Sequence, residues 1–156
     1  MDLLKLSKIA TQAARAAGKV IQKHMNDEVK VENKKGGDSY ASQVVTAVDI
    51  ACEKVILSHL LPTCDEFDLA LLSEETEDDG SRFEEDFFWC IDPMDGTLAF
   101  INKEPGFSVS IALVAKDGTP NIGVVFDPCT DTLYHAIKGI GAFKNDNPWK
   151  IEPTNE

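Results

Sequence analysis

With 156 residues, 43% of them hydrophobic, the chain is long enough for one packed domain and too apolar for a disordered tail. Fifteen Lys and Arg against 27 Asp and Glu leave a net charge of -12, which repels nucleic acid polymers and anionic membrane surfaces. A phosphate-bearing substrate therefore needs local help from cations. Cys52, Cys64, Cys90 and Cys129 occur singly, without a CxxC pair or a dense secreted framework, and read as reduced thiols in a cytoplasmic protein. The N-terminus lacks the apolar core of a signal peptide, and no segment approaches the roughly 20 apolar residues of a membrane span.

In chain order, Leu6, Ile9, Ala13, Ala17, Val20 and Ile21 recur at helical spacing and predict an amphipathic first helix, with Gly18 inside it as a packing glycine. From Asn26 to Gln43 the period is lost around Lys34-Lys35-Gly36-Gly37-Asp38-Ser39, which reads as a loop. A second helix is predicted to open near Thr46 as N-cap, to present Val48, Cys52, Val55, Ile56, His59 and Leu60 as its apolar stripe, and to end at Pro62. Leu69 to Leu72 reads as a short buried strand running out at Ser73-Glu74-Glu75. The apolar run Phe87 to Ile91 reads as another, stopping at Asp92-Pro93. Both acidic clusters thus fall where strands end.

Beyond them, Phe107, Val109, Ile111 and Leu113 alternate with Ser108, Ser110, Ala112 and Val114 before the turn Asp117-Gly118-Thr119-Pro120. Strands over 122–126 and 132–137 follow, separated by Asp127-Pro128-Cys129-Thr130-Asp131, and Ala142-Phe143 returns before Asn145-Asp146-Asn147. Two helices followed by a run of strands predict an α+β fold, with the helices packed on one face of a mainly antiparallel sheet.

The chemistry concentrates in Asp92-Pro-Met-Asp-Gly-Thr97. Proline pushes Asp92 towards extended backbone, and the turn after it brings Asp92 and Asp95 to one point. Two carboxylates, the Met94 carbonyl, waters and a substrate phosphate suit the near-octahedral oxygen shell of magnesium. If a helix starts at Thr97, the amides of Gly96 and Thr97 face outward and hold a phosphate oxygen. Asp-Pro and Asp-Gly are ordinary turn formers, as at Asp127-Pro128 and Asp117-Gly118, but here the whole hexamer follows an apolar strand.

Glu74, closest to the end of its strand, can bridge to a second cation, and Glu75 stands beside it. The further acids from Glu77 to Asp86 read as a solvated loop. Asp49, three residues after Thr46, has two compatible readings: a capping box, or a base that orients a Thr97 hydroxyl and a water. His24, His59 and His135 lack metal-ligand spacing and read as packing or surface residues. Lys34 and Lys35 read as a solvated loop pair.

Val45-Thr46-Ala47-Val48-Asp49, Ser73-Glu74-Glu75, Trp89 to Thr97 with Phe100, and Gly123-Val124-Val125-Phe126 occur in an order that resembles the N-terminal half of the inositol monophosphatase superfamily. The resemblance runs from the first helix to about Gly141-Ala142-Phe143 and implies half of a layered α/β sandwich. It further implies that Glu74, Asp92, the Met94 carbonyl and Asp95 bind Mg2+, that Asp49 and Thr97, with Glu74, activate the attacking water, and that Gly96 and Thr97 contact the phosphate. Glu75 would support the water network. Lithium inhibition and direct hydrolysis of a small phosphate monoester such as inositol monophosphate, without a phosphoenzyme, follow from the same likeness.

Ser73-Glu74-Glu75, Phe100-Ile101 and Gly106 to Val109 are also similar to the branch that hydrolyses 3'-phosphoadenosine 5'-phosphate, so a 3'(2'),5'-bisphosphate nucleotidase is the alternative. Leu98-Ala99 departs from the Lys-Glu pair usual in that branch. Family enzymes continue into a second domain with a Trp-Asp-x-Ala-Ala-Gly motif, which the sequence up to Glu156 does not contain. Residues 1–156 are thus expected to form a single N-terminal metal-binding domain, with weak or no activity by itself. A non-catalytic module that forms a homodimer through its sheet is the expectation from another class.

Overall fold

The computed structural model describes the backbone of residues 1–31 and 38–150 and the side chains of residues 1–25 and 46–150. Helix α1 spans Leu3–Val31 and α2 spans Asp38–Phe67; then come β1 (Ala70–Ser73), β2 (Phe87–Asp95), a five-residue α3 (Thr97–Ile101), β3 (Ser108–Ala115), β4 (Pro120–Asp127), β5 (Thr132–Ile137), β6 (Gly141–Lys144) and β7 (Asn147–Pro148). The strands lie in one sheet in sequence order. Among the described residues, only β1 pairs parallel with its neighbour β2; the remaining ladders are antiparallel. The expected α+β arrangement is therefore the observed one.

Alternation places Trp89, Ile91, Val109, Ile111, Leu113, Ile122, Val124, Phe126 and Leu133 on the sheet face beneath α1 and α2. Helix α1 answers with Leu6, Ala10, Ala13, Ala14, Ala17 and Ile21, and α2 with Val48, Cys52, Ile56 and Leu60, all buried. The small residues of α1 let it sit close to the sheet. Gly18 is the extreme case, since a Cβ there would stand 2.0 Å from the buried ring of Phe126. Gly18 thus packs against β4.

Helix α2 differs from the expected element at both ends. It opens at Asp38, so Thr46 lies inside it and cannot be its N-cap, and α1 extends to Val31. Residues 26–31 and 38–43 of the expected loop are helical, and Lys34-Lys35 lies outside the described residues. The apolar stripe starts later than the helix because helix opening follows local propensity, and nothing from Asp38 to Val45 breaks it.

Pro62 does not end α2, which continues to Phe67. A helical proline costs about 3 kcal/mol through its missing N–H and its ring, but the next residue ties this turn to the sheet. The Thr63 hydroxyl donates to the Leu60 carbonyl (2.6 Å) and accepts the Trp89 indole N–H (2.9 Å). The stop comes at Asp68, where φ is 53° and the Leu69 amide closes onto the Cys64 carbonyl at 3.1 Å.

Replacing Gly18 by Ala would gain about 1 kcal/mol of helix propensity but overpack the Phe126 contact at a cost of about 1–3 kcal/mol. Thermal melts of Gly18→Ala are expected to show a lower Tm than the parent chain. An unchanged or higher Tm would remove the close α1–β4 contact from the account.

Candidate metal and phosphate site

The site is built where β1 and β2 end side by side. Strand β2 does not stop at Asp92-Pro93 as expected but runs on to Asp95 through an irregularity. Asp92 pairs with Ser110 and Asp95 with Ser108, so three steps on β2 match two on β3. In a regular strand, residues three apart point to opposite faces. The extra residue of a bulge cancels that inversion, and a bulge also tolerates Pro93, which has no N–H to give the ladder. The bulge thus brings Asp92 and Asp95 together.

Local hydrogen bonds hold this turn. The Met94 amide donates to Asp92 Oδ1 (3.2 Å), and the Thr97 hydroxyl donates to the Met94 carbonyl (3.2 Å). The buried Met94 side chain anchors the segment from below. Gly96, at φ 86°, caps α3, and a Cβ there would lie 2.4 Å from the Gly106 carbonyl oxygen. Glycine is needed both for the left-handed conformation and for this backbone approach. Phe100 and Phe107 then meet edge to face with centroids 5.3 Å apart, fixing α3 against the start of β3.

Glu74 arrives from β1. Its amide donates to the Ile91 carbonyl at 3.2 Å, one step before Asp92. Burial, a hydrogen bond with Glu74, and the charges of Glu74 and Asp95 hold the Asp92 carboxyl well above the usual carboxylate range, against the pull of the Met94 amide. Asp49 is buried on α2 and is pushed up to about 6 by that burial and then by Glu75 and Glu74. Glu75 is raised by burial, Glu74 and Glu53. The ion pairs Lys5–Glu66, Arg15–Asp146 and Arg82–Asp78 lie elsewhere.

Four of the expected site acids, Asp49, Glu74, Asp92 and Asp95, are thus brought within electrostatic reach, with Glu75 among them. Among the described residues no three acidic, histidine or cysteine side chains are already gathered tightly enough to hold one ion. The acids form linked pairs whose donors are all oxygen. That set fits a hard cation such as magnesium, which retains several waters and completes its shell with substrate oxygens. The carboxyls are raised first by burial and then by the neighbouring acids.

One expected contact is not formed. The Thr97 hydroxyl points its proton at Met94 O, three residues back, the local back-bond that Ser and Thr side chains make to a preceding carbonyl. A bond between Asp49 and Thr97 is not among the hydrogen bonds of the described residues. The capping-box reading of Asp49 also fails, since Thr46 and Asp49 both lie inside α2.

Other expectations hold in simpler form. Asp78 and Asp79 accept the Gly80 and Ser81 amides in local turns and stay at the surface. His24 bonds to the Val20 carbonyl, and His135 stacks on Phe143. All four cysteines are free thiols, and among the described residues no helix is long and apolar enough to cross a membrane.

Sequence reasoning missed Glu53, which is buried beside the site and receives hydrogen bonds from Ser73 and Thr76. The available signal was its position four residues after Asp49, one turn along the same helix face.

Residues 2–156 match the model of the inositol monophosphatase family. The chain belongs to this phosphatase family. Inositol monophosphatase 1 of Solanum lycopersicum is 34% identical over 150 residues, which are 95% of the chain and 52% of the tomato protein. The Nus factor SuhB of Haemophilus influenzae is 37% identical over 149 residues, 95% of the chain and 53% of SuhB. Among solved structures, inositol monophosphatase from Anabaena superimposes with a TM-score of 0.75 at 33% identity, covering 99% of the chain and 51% of that protein. The chain spans about half the length of the relatives it matches.

Because Asp49 and Asp92 bind protons more tightly when folded than unfolded, their contribution to stability is full below the unfolded value near 4 and is lost as pH rises through the folded values, about 6 for Asp49. Without divalent cations, Asp49→Asn is therefore expected to raise Tm at pH 8 and to change it little at pH 4. A variant less stable than the parent chain at pH 8 would contradict the charge-crowding account.

Proposed function

We propose that residues 1–156 form the magnesium-binding, N-terminal part of a phosphomonoesterase acting on a small phosphate monoester of the inositol monophosphate type. The observation that carries this reading is the β2 bulge, which turns Asp92 and Asp95 to one side next to Glu74. Glu74, Asp92, Asp95 and the Met94 carbonyl would hold the ion. When bound, magnesium supplies the positive charge that makes a water acidic near neutral pH and offsets the charge of the phosphate and departing alkoxide.

The chain's own residues do the remainder. Asp49, buried on α2 within electrostatic reach of Glu74 and Glu75, would take a proton from the attacking water. Its partner in this reading is Thr97, whose hydroxyl must leave the Met94 carbonyl to reach it. Released from the carbonyl, the Thr97 hydroxyl would be free to donate to Asp49, and the Met94 oxygen would be free to accept the cation. The Gly96 and Thr97 amides, at the left-handed turn into α3, would hold phosphate oxygens. With only five residues, α3 adds little dipole of its own, so these amides act mainly as hydrogen-bond donors.

A second reading, self-association, has an observation of its own. The sheet face opposite the helices carries Val125 and Trp149, each 39% exposed, and a shallow depression of about 230 Å³ lined by Gly123, Val125, Tyr134, His135, Ala136, Ala142 and Trp149. An apolar face of this kind suits a homodimer.

Phosphate release from inositol monophosphate and from 3'-phosphoadenosine 5'-phosphate, measured with the chain alone and with a family C-terminal domain added, tests the first reading. Turnover is expected to need magnesium, to be inhibited by lithium, to be weak or absent in the chain alone, and to fall at least about 100-fold in Asp92→Asn. Lithium-insensitive hydrolysis that survives Asp92→Asn would sink it. Sedimentation of the same samples addresses the second: a monomer at every concentration rules out self-association.

A further inference from the structure

We propose that Glu53 is the positioning residue of this site: its buried carboxylate holds the hydroxyls on either side of Glu74 and Glu75 and so fixes where those two acids stand. The proposal rests on the magnesium-site reading above and assigns a role to a residue that is not itself a ligand.

Glu53 is 9% exposed and lies one helical turn beyond Asp49 on α2. Its Oε1 accepts both the Ser73 hydroxyl (2.5 Å) and the Thr76 hydroxyl (2.8 Å). Ser73 is the last residue of β1 and is buried; Thr76 stands just beyond the acidic pair. Two side-chain bonds therefore converge on one oxygen from positions that bracket Glu74 and Glu75. The Glu74 amide bond to Ile91 supplies a third restraint, from the sheet side. Restraints at Ser73, Glu74 and Thr76 thus secure the segment that leaves the regular ladder after Ser73.

A charged side chain in a helix stripe facing the interior is costly unless its oxygens are satisfied. Here both donors come from the segment that presents the site acids. One face of α2 consequently contributes to the site twice, directly through Asp49 and at one remove through Glu53. Two hydroxyls held on one buried acceptor oxygen fix the position of the segment against α2. Metal ligands must be held within about 0.5 Å of the productive geometry by such supporting contacts.

The test uses the 156-residue chain, with backbone amide exchange measured without metal and magnesium chloride alone titrated by calorimetry. Glu53→Leu removes the acceptor, whereas Glu53→Gln keeps a carbonyl for both hydroxyls. In Glu53→Leu, exchange at the Glu74 amide is expected to quicken at least about 10-fold while Ile91 and Ile111 keep their protection. Its magnesium Kd should weaken by about 10- to 100-fold, and Glu53→Gln should stay within about threefold of the parent in both readouts.

The double variant Ser73→Ala, Thr76→Val should reproduce the Glu53→Leu exchange pattern, and it covers the case in which Glu53→Leu fails to fold. Unchanged exchange at Glu74 in the double variant, a uniform loss of protection across β2 and β3, or a Glu53→Gln loss as large as that of Glu53→Leu would each overturn the proposal. A parent chain that takes up no magnesium would defeat the magnesium-site reading separately, and the exchange pattern alone would then decide the role of Glu53.

Discussion

Like charges crowded where two parallel strands end are the constraint on which this structure turns. Carboxylates repel, and burial adds to the cost of keeping them ionised. Holding Asp49, Glu74, Asp92 and Asp95 near one another therefore requires a rigid surround. The Ile91 carbonyl fixes Glu74, the bulge fixes Asp92 against Asp95, and the close approach of Gly96 to Gly106 fixes the turn that follows. Behind them, the Thr63–Trp89 bond locks α2 to β2, and Gly18 brings α1 down onto Phe126. The core and the site are linked parts of one arrangement: the helices that bury the apolar face also deliver Asp49 and Glu53.

Much of this was legible in the sequence because it depends on local periodicity. Alternation through Val109, Ile111 and Leu113 marks a strand with one face in the core, and the hexamer beginning at Asp92 marks the candidate site. What stayed hidden depends on partners distant in sequence. The bulge exists only relative to Ser108 and Ser110 on the neighbouring strand. Pro62 looked like a helix stop because its effect on its own ladder is local, whereas the Trp89 indole that ties down the next residue lies 26 positions away. Glu53 was passed over because a glutamate on a helix is usually solvated, and only the fold shows that Ser73 and Thr76 come to meet it. Thr46 misled in the opposite way: its local capping pattern is sound, but the helix had already begun.

Acidity is unevenly distributed in purpose. Asp78, Asp79, Asp117 and Asp127 accept nearby backbone amides and stabilise turns, while the site acids face one another. A net charge of -12 alone would repel a phosphate ester; in the magnesium-site reading proposed above, the acids at the strand ends would hold a cation that reverses the local sign. The family match accords with this division of labour, and the chain spans about half the length of its relatives.

The central claim is that the acids at the ends of β1 and β2 are arranged for a divalent cation. Crystals of the chain soaked in manganese, examined by anomalous scattering, test it most directly. The account predicts a peak bounded by Glu74, Asp92, Asp95 and the Met94 carbonyl, with ligand distances of about 2.0–2.2 Å. No peak between these residues, or manganese only on the surface acids from Glu77 to Asp79, would contradict it.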